Sequence, residues 1–70
     1  MIEIVRRLAR EKNKLAEDGV SLSLDSMSVI DFVLALEDAT GVEISNSELK
    51  DENFRTVDDA ARLLERLRGT

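Results

Sequence analysis

The chain has 70 residues, a net charge of −5, and no cysteine, histidine or proline. This length permits one small domain with a thin hydrophobic core, and we expect a single domain over residues 1–70. The missing residue types exclude disulfides, thiolate metal sites and a hydrolase built on a Ser-His or Cys-His pair. No catalytic and no metal-ligating residues are predicted.

The excess negative charge lies in the middle of the chain. Residues 22–49 contain six acidic residues and no lysine or arginine, whereas the flanking segments are nearly balanced. Such a segment repels phosphate backbones, so no nucleic-acid partner is expected. It would attract a basic protein surface, although a solvated acidic face that only aids solubility is an equal alternative.

The amino-terminal residues carry charges among their apolar side chains, unlike a signal peptide. No segment of the sequence approaches the length of a membrane span. We therefore expect a cytoplasmic protein with no membrane partner, and we expect it to be a monomer.

Apolar residues at helical intervals predict a first helix over about residues 2–16. The residues that carry this spacing are Ile4, Val5, Leu8 and Leu15. The segment Glu17-Asp18-Gly19 then predicts the end of the helix and a turn.

A second helix is predicted over about residues 26–40. Asp25 or Ser26 can cap its start by accepting backbone N–H bonds, and Gly41 can end it in a left-handed conformation. The segment between them is apolar on most sides. It should therefore lie between other helices, with part of its apolar surface available for a ligand or partner.

A third helix is predicted over about residues 56–68, with Thr56 as its N-cap. Ser45 and Glu48 have capping-box spacing, so one short helical turn is expected around 46–51, followed by an inward-facing Phe54. The sequence thus predicts an all-α fold, a small four-helix bundle of three main helices and one short helix.

One ungapped run of about twenty residues resembles the prosthetic-group segment of acyl and peptidyl carrier proteins. Its matching elements are Asp25-Ser26-Met27, then Asp31, then Ala35-Leu36-Glu37 near the helix end, and finally Gly41-Val42-Glu43-Ile44. A looser match continues through the segment 54–60. The resemblance implies an acyl-carrier-like bundle that holds cargo for other enzymes and is not itself an enzyme.

The resemblance implies that Ser26 carries a covalent 4'-phosphopantetheine arm, transferred from coenzyme A by a separate phosphopantetheinyl transferase. The arm's thiol would hold acyl or aminoacyl groups as thioesters, which explains how a carrier can lack cysteine. A serine at a helix start also suits a phosphodiester, because the positive end of the helix dipole and free N–H groups lie there. Asp25 and Met27 flank the attachment site.

Four residues of the second helix are candidates for docking onto partner enzymes: Asp31, Glu37, Asp38 and Ile30. The acidic residues would meet basic patches on the transferase and on the loading and synthase enzymes. Met27 and Ile30 would supply apolar contacts. For Ile30, simple core packing is an equally good interpretation.

The chain departs from the common family pattern in several places, including Ser45 where a proline is usual and Thr40 where an aromatic residue is common. These departures favour a carrier of polyketide, nonribosomal peptide or related biosynthesis over housekeeping fatty acid biosynthesis. A free-standing protein is expected, with an excised synthase domain as the alternative. The competing function is an unmodified acidic helical domain that docks onto a partner protein.

Overall fold

The computed structural model describes residues 1–69 and consists of three α-helices joined by irregular segments. Helix α1 covers Ile2–Glu11, α2 covers Ser28–Thr40 and α3 covers Val57–Arg68. Two 3₁₀ turns, Asn46–Glu48 and Asp51–Asn53, lie between α2 and α3. The predicted all-α fold is confirmed, although two 3₁₀ turns replace the predicted short fourth helix.

The hydrophobic core forms where α1 packs against both α2 and α3. Its thirteen members come from all three helices and from the segment between α2 and α3: Val5, Ala9, Phe32, Val33, Leu36, Val42, Ile44, Phe54, Val57, Ala60, Ala61, Leu63 and Leu64. Phe54 is only 4% exposed, as the sequence predicted. No helix of the described chain is both long and apolar enough to cross a bilayer.

The prediction of a first helix extending to residue 16 is wrong, because α1 ends at Glu11. Asn13 adopts a left-handed conformation with φ 58°, which asparagine tolerates better than most residues. The Lys14 N–H then bonds the Ala9 carbonyl at 2.7 Å and closes the helix. Leu15 continues the helical spacing in sequence, but it pairs with Leu22 in an isolated antiparallel bridge.

The connection from α1 to α2 is held against the start of α3 by backbone hydrogen bonds. The Leu22 N–H donates to the Arg55 carbonyl at 3.0 Å, and the Val57 N–H donates to the Val20 carbonyl at 2.8 Å. The predicted turn at Gly19 is present, with φ 70°. Its neighbour Asp18 accepts the N–H groups of Ser21 and Val20, which lower the pKa of the Asp18 carboxyl.

The end of α2 and the start of α3 are confirmed as predicted. Gly41 caps α2 at φ 73°, and its N–H donates to the Glu37 carbonyl at 2.8 Å. Thr56 caps α3 by accepting the Asp59 N–H at 3.1 Å, while the Asp59 carboxylate accepts the Thr56 N–H at 3.2 Å.

The capping box predicted at Ser45 and Glu48 does not form. The Ser45 hydroxyl bonds the Ser47 hydroxyl instead, at 3.0 Å. The Glu48 carboxylate pairs with the Arg66 guanidinium of α3 at 2.7 Å, and this bond lowers the pKa of Glu48. A tertiary ion pair therefore takes the side chain that the local pattern assigned to a cap.

Candidate functional site

The turn that precedes α2 is organised by Asp25. Its carboxylate accepts the N–H groups of Met27 at 3.1 Å and Ser28 at 2.8 Å, and the Ser28 hydroxyl accepts the Asp25 N–H at 2.9 Å. The hydrogen bonds that the carboxylate accepts, with the Ser28 N–H contributing most, lower the pKa of the Asp25 carboxyl. Of the two capping residues that the sequence offered, Asp25 is the one that caps.

Judged by its hydrogen bonds, the first turn of α2 includes Ser26. The helical hydrogen bonds already begin with the Val29 N–H and the Asp25 carbonyl at 3.0 Å, although the regular helix is assigned from Ser28. The Ser26 side chain is exposed, and across residues 1–69 no hydrogen bond engages its hydroxyl. The structure therefore presents this oxygen at the helix start, as the sequence predicted.

The chain's other serines are placed differently. The hydroxyls of Ser21 and Ser28 bond to the Asp18 carboxylate and to the Asp25 backbone, and those of Ser45 and Ser47 bond each other. Ser23 is exposed, but it lies in the connection before α2 and not at a helix start. Among the serines of residues 1–69, Ser26 alone combines an exposed, unbonded hydroxyl with the start of an α-helix.

A cavity of about 330 Å³ opens beside Ser26. Apolar side chains line its interior: Leu22, Leu24, Val29, Leu49 and Phe54. Charged residues join Ser26 at its edge: Asp25, Lys50, Asp51 and Arg55. The hydroxyl thus lies at the boundary between an apolar interior and a charged rim.

The fold changes the electrostatic surroundings that the sequence suggested for Ser26. In sequence, this residue belongs to a segment without lysine or arginine. In the structure, Lys50 and Arg55 line the same cavity, and the charge of Lys14 contributes to the lowered pKa of Asp25. Basic residues from the flanking segments therefore surround the start of α2.

These surroundings fit the phosphopantetheine arm that the sequence resemblance implies. An exposed hydroxyl can form the ester bond, and cationic side chains nearby can offset the charge of a phosphodiester. The expectation of free helix N–H groups is only partly met, because the Asp25 carboxylate already accepts two of them.

The outward surface of α2 is apolar along one stripe. Met27 is 83% exposed, Ile30 54% and Leu34 58%. Their spacing of three and four residues places them on one side of the helix. This exposure excludes the core-packing interpretation of Ile30. Leu34 was not a predicted site residue, although its position four residues after Ile30 could have identified it.

The three acidic docking candidates of α2 have different environments. Asp31 is exposed and lies 3.8 Å from the Lys12 ammonium, and Asp38 is exposed. Glu37 is half-buried, and its carboxylate accepts the Ile44 N–H at 2.7 Å. The structure therefore leaves Asp31 and Asp38 open to partners, while Glu37 holds the segment that leaves α2.

Lys50 and Arg55 are the site residues that the sequence interpretation missed. They lie 24 and 29 positions after Ser26 and carry no local signal of proximity to it. Only the packing of the segment between α2 and α3 brings them to the cavity.

Residues 1–64 match a family model described as the phosphopantetheine attachment site. No solved structure is significantly similar to the chain.

Proposed function

Because the chain belongs to the phosphopantetheine attachment family, whose members carry a covalent 4'-phosphopantetheine, we propose that Ser26 is its attachment residue. The single observation that supports this assignment is the exposed, unbonded Ser26 hydroxyl in the first turn of α2. In the proposed reaction the Ser26 oxygen forms a phosphodiester with the arm of coenzyme A, and the nucleotide part of coenzyme A leaves.

The chain would act as a carrier, and its chemistry would be supplied by other molecules. A transferase would provide the general base that removes the hydroxyl proton, which agrees with the absence of histidine. The thiol of the arm would hold an acyl or aminoacyl group as a thioester, which agrees with the absence of cysteine. We propose that residues 1–70 form this one carrier domain. Its cytoplasmic location stays a prediction from the sequence.

We propose that partner enzymes recognise the exposed surface of α2, hereafter the docking face, formed by Met27, Ile30, Leu34, Asp31 and Asp38. Exposed apolar side chains grouped on one helix face are suited to a partner contact. The acidic residues beside them would steer a basic partner surface toward Ser26 and fix its orientation. Glu37 would be a weaker docking residue than Asp31 and Asp38, because its carboxylate already accepts the Ile44 N–H.

The pathway remains a proposal that rests on sequence departures such as Thr40 and Ser45. These favour a carrier in polyketide, nonribosomal peptide or related biosynthesis. The partners would then be the transferase and the enzymes that load and process the cargo.

The test is to incubate the purified protein with coenzyme A and a promiscuous phosphopantetheinyl transferase and to measure its intact mass. We expect the wild-type protein to gain one phosphopantetheine and Ser26→Ala to gain none. Ser23→Ala is the matched control, because Ser23 is also an exposed serine near α2, and it should be modified like the wild type.

An unmodified wild-type protein, or a mass gain that persists in Ser26→Ala, would refute the assignment. Partner binding that is indifferent to coenzyme A and to Ser26→Ala would instead support the competing function, an unmodified acidic docking domain.

A further inference from the structure

The start of α2 leaves the charge of a phosphodiester at Ser26 incompletely compensated. A helix start ordinarily offers free N–H groups to an anion. Here the Asp25 carboxylate accepts the N–H groups of Met27 and Ser28, at 3.1 and 2.8 Å. Asp25 also places its own negative charge beside Ser26. Cationic side chains from another part of the fold would therefore stabilise the group further.

Lys50 and Arg55 are placed to supply it. Both line the cavity that Ser26 borders. Within residues 1–69 neither side chain is in an ion pair, whereas Arg66 and Arg68 of α3 are. Although Asp25 and Asp51 share the rim, two cations that are not held in close ion pairs can turn toward an anion at Ser26.

The backbone around these two residues is fixed on both sides. The Arg55 carbonyl accepts the Leu22 N–H at 3.0 Å, and the Lys50 carbonyl accepts the Asn53 N–H at 2.9 Å. Phe54, between them, is buried in the core. The backbone of both residues is thus fixed beside the cavity, so only their side chains need to be ordered when they bind an anion there.

We propose that Lys50 and Arg55 form a cationic clamp that binds the phosphodiester on Ser26 and holds the base of the arm at the mouth of the cavity. This inference rests on the proposed function, because it requires the group to be attached at Ser26. It assigns the two cations a role in the modified protein that they do not have in the unmodified one.

A substitution at Asp51 should have the opposite effect to substitutions at Lys50 and Arg55. The Asp51 side chain is exposed on the same rim, so its negative charge repels that of the phosphodiester. Removing the Asp51 charge should stabilise the folded modified protein relative to the unmodified one, while removing the Lys50 and Arg55 charges should destabilise it. A charge change far from Ser26 should do neither.

The experiment compares the melting temperature of the modified and unmodified forms of each protein by calorimetry. The variants are the pair Lys50→Gln with Arg55→Gln, the single variant Asp51→Asn, and the control pair Arg7→Gln with Arg10→Gln. The control pair removes the same charge from α1, none of whose residues line the cavity. Subtracting the unmodified form removes each variant's direct effect on folding, including the influence of Lys50 on Glu48.

We expect the Lys50 and Arg55 pair to lower the difference between modified and unmodified forms by about 4 °C relative to wild type. Asp51→Asn should raise the difference, and the control pair should leave it unchanged. High salt should reduce the first two effects. As a second measurement, the phosphorus NMR signal of the modified protein should narrow in the variant pair, because the phosphodiester becomes more mobile.

A difference that is the same in the variant pair as in wild type would overturn the clamp, as would an equal loss in the control pair. Intact mass separates this failure from that of the proposed function. A protein that gains no phosphopantetheine at Ser26 refutes the proposed function. A protein that is modified, but whose melting-temperature difference does not depend on Lys50 and Arg55, refutes the clamp alone.

Discussion

Helix α2 has two apolar faces that differ in what they contact. Phe32, Val33 and Leu36 are buried against the rest of the bundle. Met27, Ile30 and Leu34 are equally apolar but more than half exposed. Hydrophobic burial stabilises the fold only where water is excluded, so the buried face determines stability. The docking face is free to contact partners, and each face should fail in its own way when it is altered.

Leu36→Ala should produce the largest change. Leu36 is fully buried, so its truncation leaves a cavity and should lower the free energy of unfolding by about 3 kcal/mol. Leu34→Ala is the matched control on the opposite face and should change it by less than about 0.5 kcal/mol. Urea unfolding measures both, and equal losses would show that the two faces do not differ.

Reversing the charges of the docking face should affect recognition more than folding. In Asp31→Lys with Asp38→Lys, modification by the transferase should slow about tenfold, because electrostatic steering of a basic partner is lost. The melting temperature should change little, since both side chains are exposed. Stopped-flow rates at increasing salt check the cause: the wild-type rate should fall toward that of the variant. A salt-independent difference would argue against steering.

Ile30→Ala should reveal the apolar part of the docking face. An exposed residue at the centre of an interface can contribute about 1 kcal/mol to binding, so kcat/KM for modification should fall about fivefold. Urea unfolding should match the wild type. A loss of stability comparable to that of Leu36→Ala would show that Ile30 stabilises the fold as a core residue does.

Glu37 and Asp38 are adjacent in sequence and should behave differently. Glu37→Ala removes the acceptor of the Ile44 N–H and should cost about 1 kcal/mol of unfolding free energy. Asp38→Ala should cost much less, because within the described chain no hydrogen bond or ion pair uses its carboxylate. Thermal unfolding at neutral pH distinguishes the two, and equal values would contradict a structural role for Glu37.

Acidification should produce the smallest effect, through Asp25 in the turn that precedes α2. The folded pKa of Asp25 lies below 3.8, so its contribution to stability is complete above that pH. The contribution is lost as the pH falls through the folded pKa. Asp25→Asn keeps an oxygen acceptor and cannot titrate, so its melting temperature should fall less than that of wild type when the pH is lowered to about 3. Identical pH profiles would contradict the capping role of Asp25.

The features that could be predicted from the sequence are those encoded by neighbouring residues. Gly41 ends α2 and Thr56 begins α3 because a cap depends on conformations and bonds within one turn. The presentation of Ser26 follows from the same local logic at Asp25.

The features that could not be predicted depend on contacts between distant residues. Asn13 ends α1 although Leu15 continues the helical spacing, because Leu15 instead pairs with Leu22 across a turn. Glu48 has the sequence position of a capping-box residue, but its carboxylate forms an ion pair with Arg66, eighteen positions away. The charges near Ser26 follow the same rule, since Lys50 reaches the cavity only through tertiary packing.

Attachment at Ser26 can be tested at the level of single residues by fragmenting the modified protein in a mass spectrometer and locating the attached group along the chain. Every fragment that contains Ser26 should carry the added phosphopantetheine, and fragments that end before Ser26 or start after it should not. A group found on Ser23, Ser28 or any residue other than Ser26 would show that Ser26 is not the attachment residue.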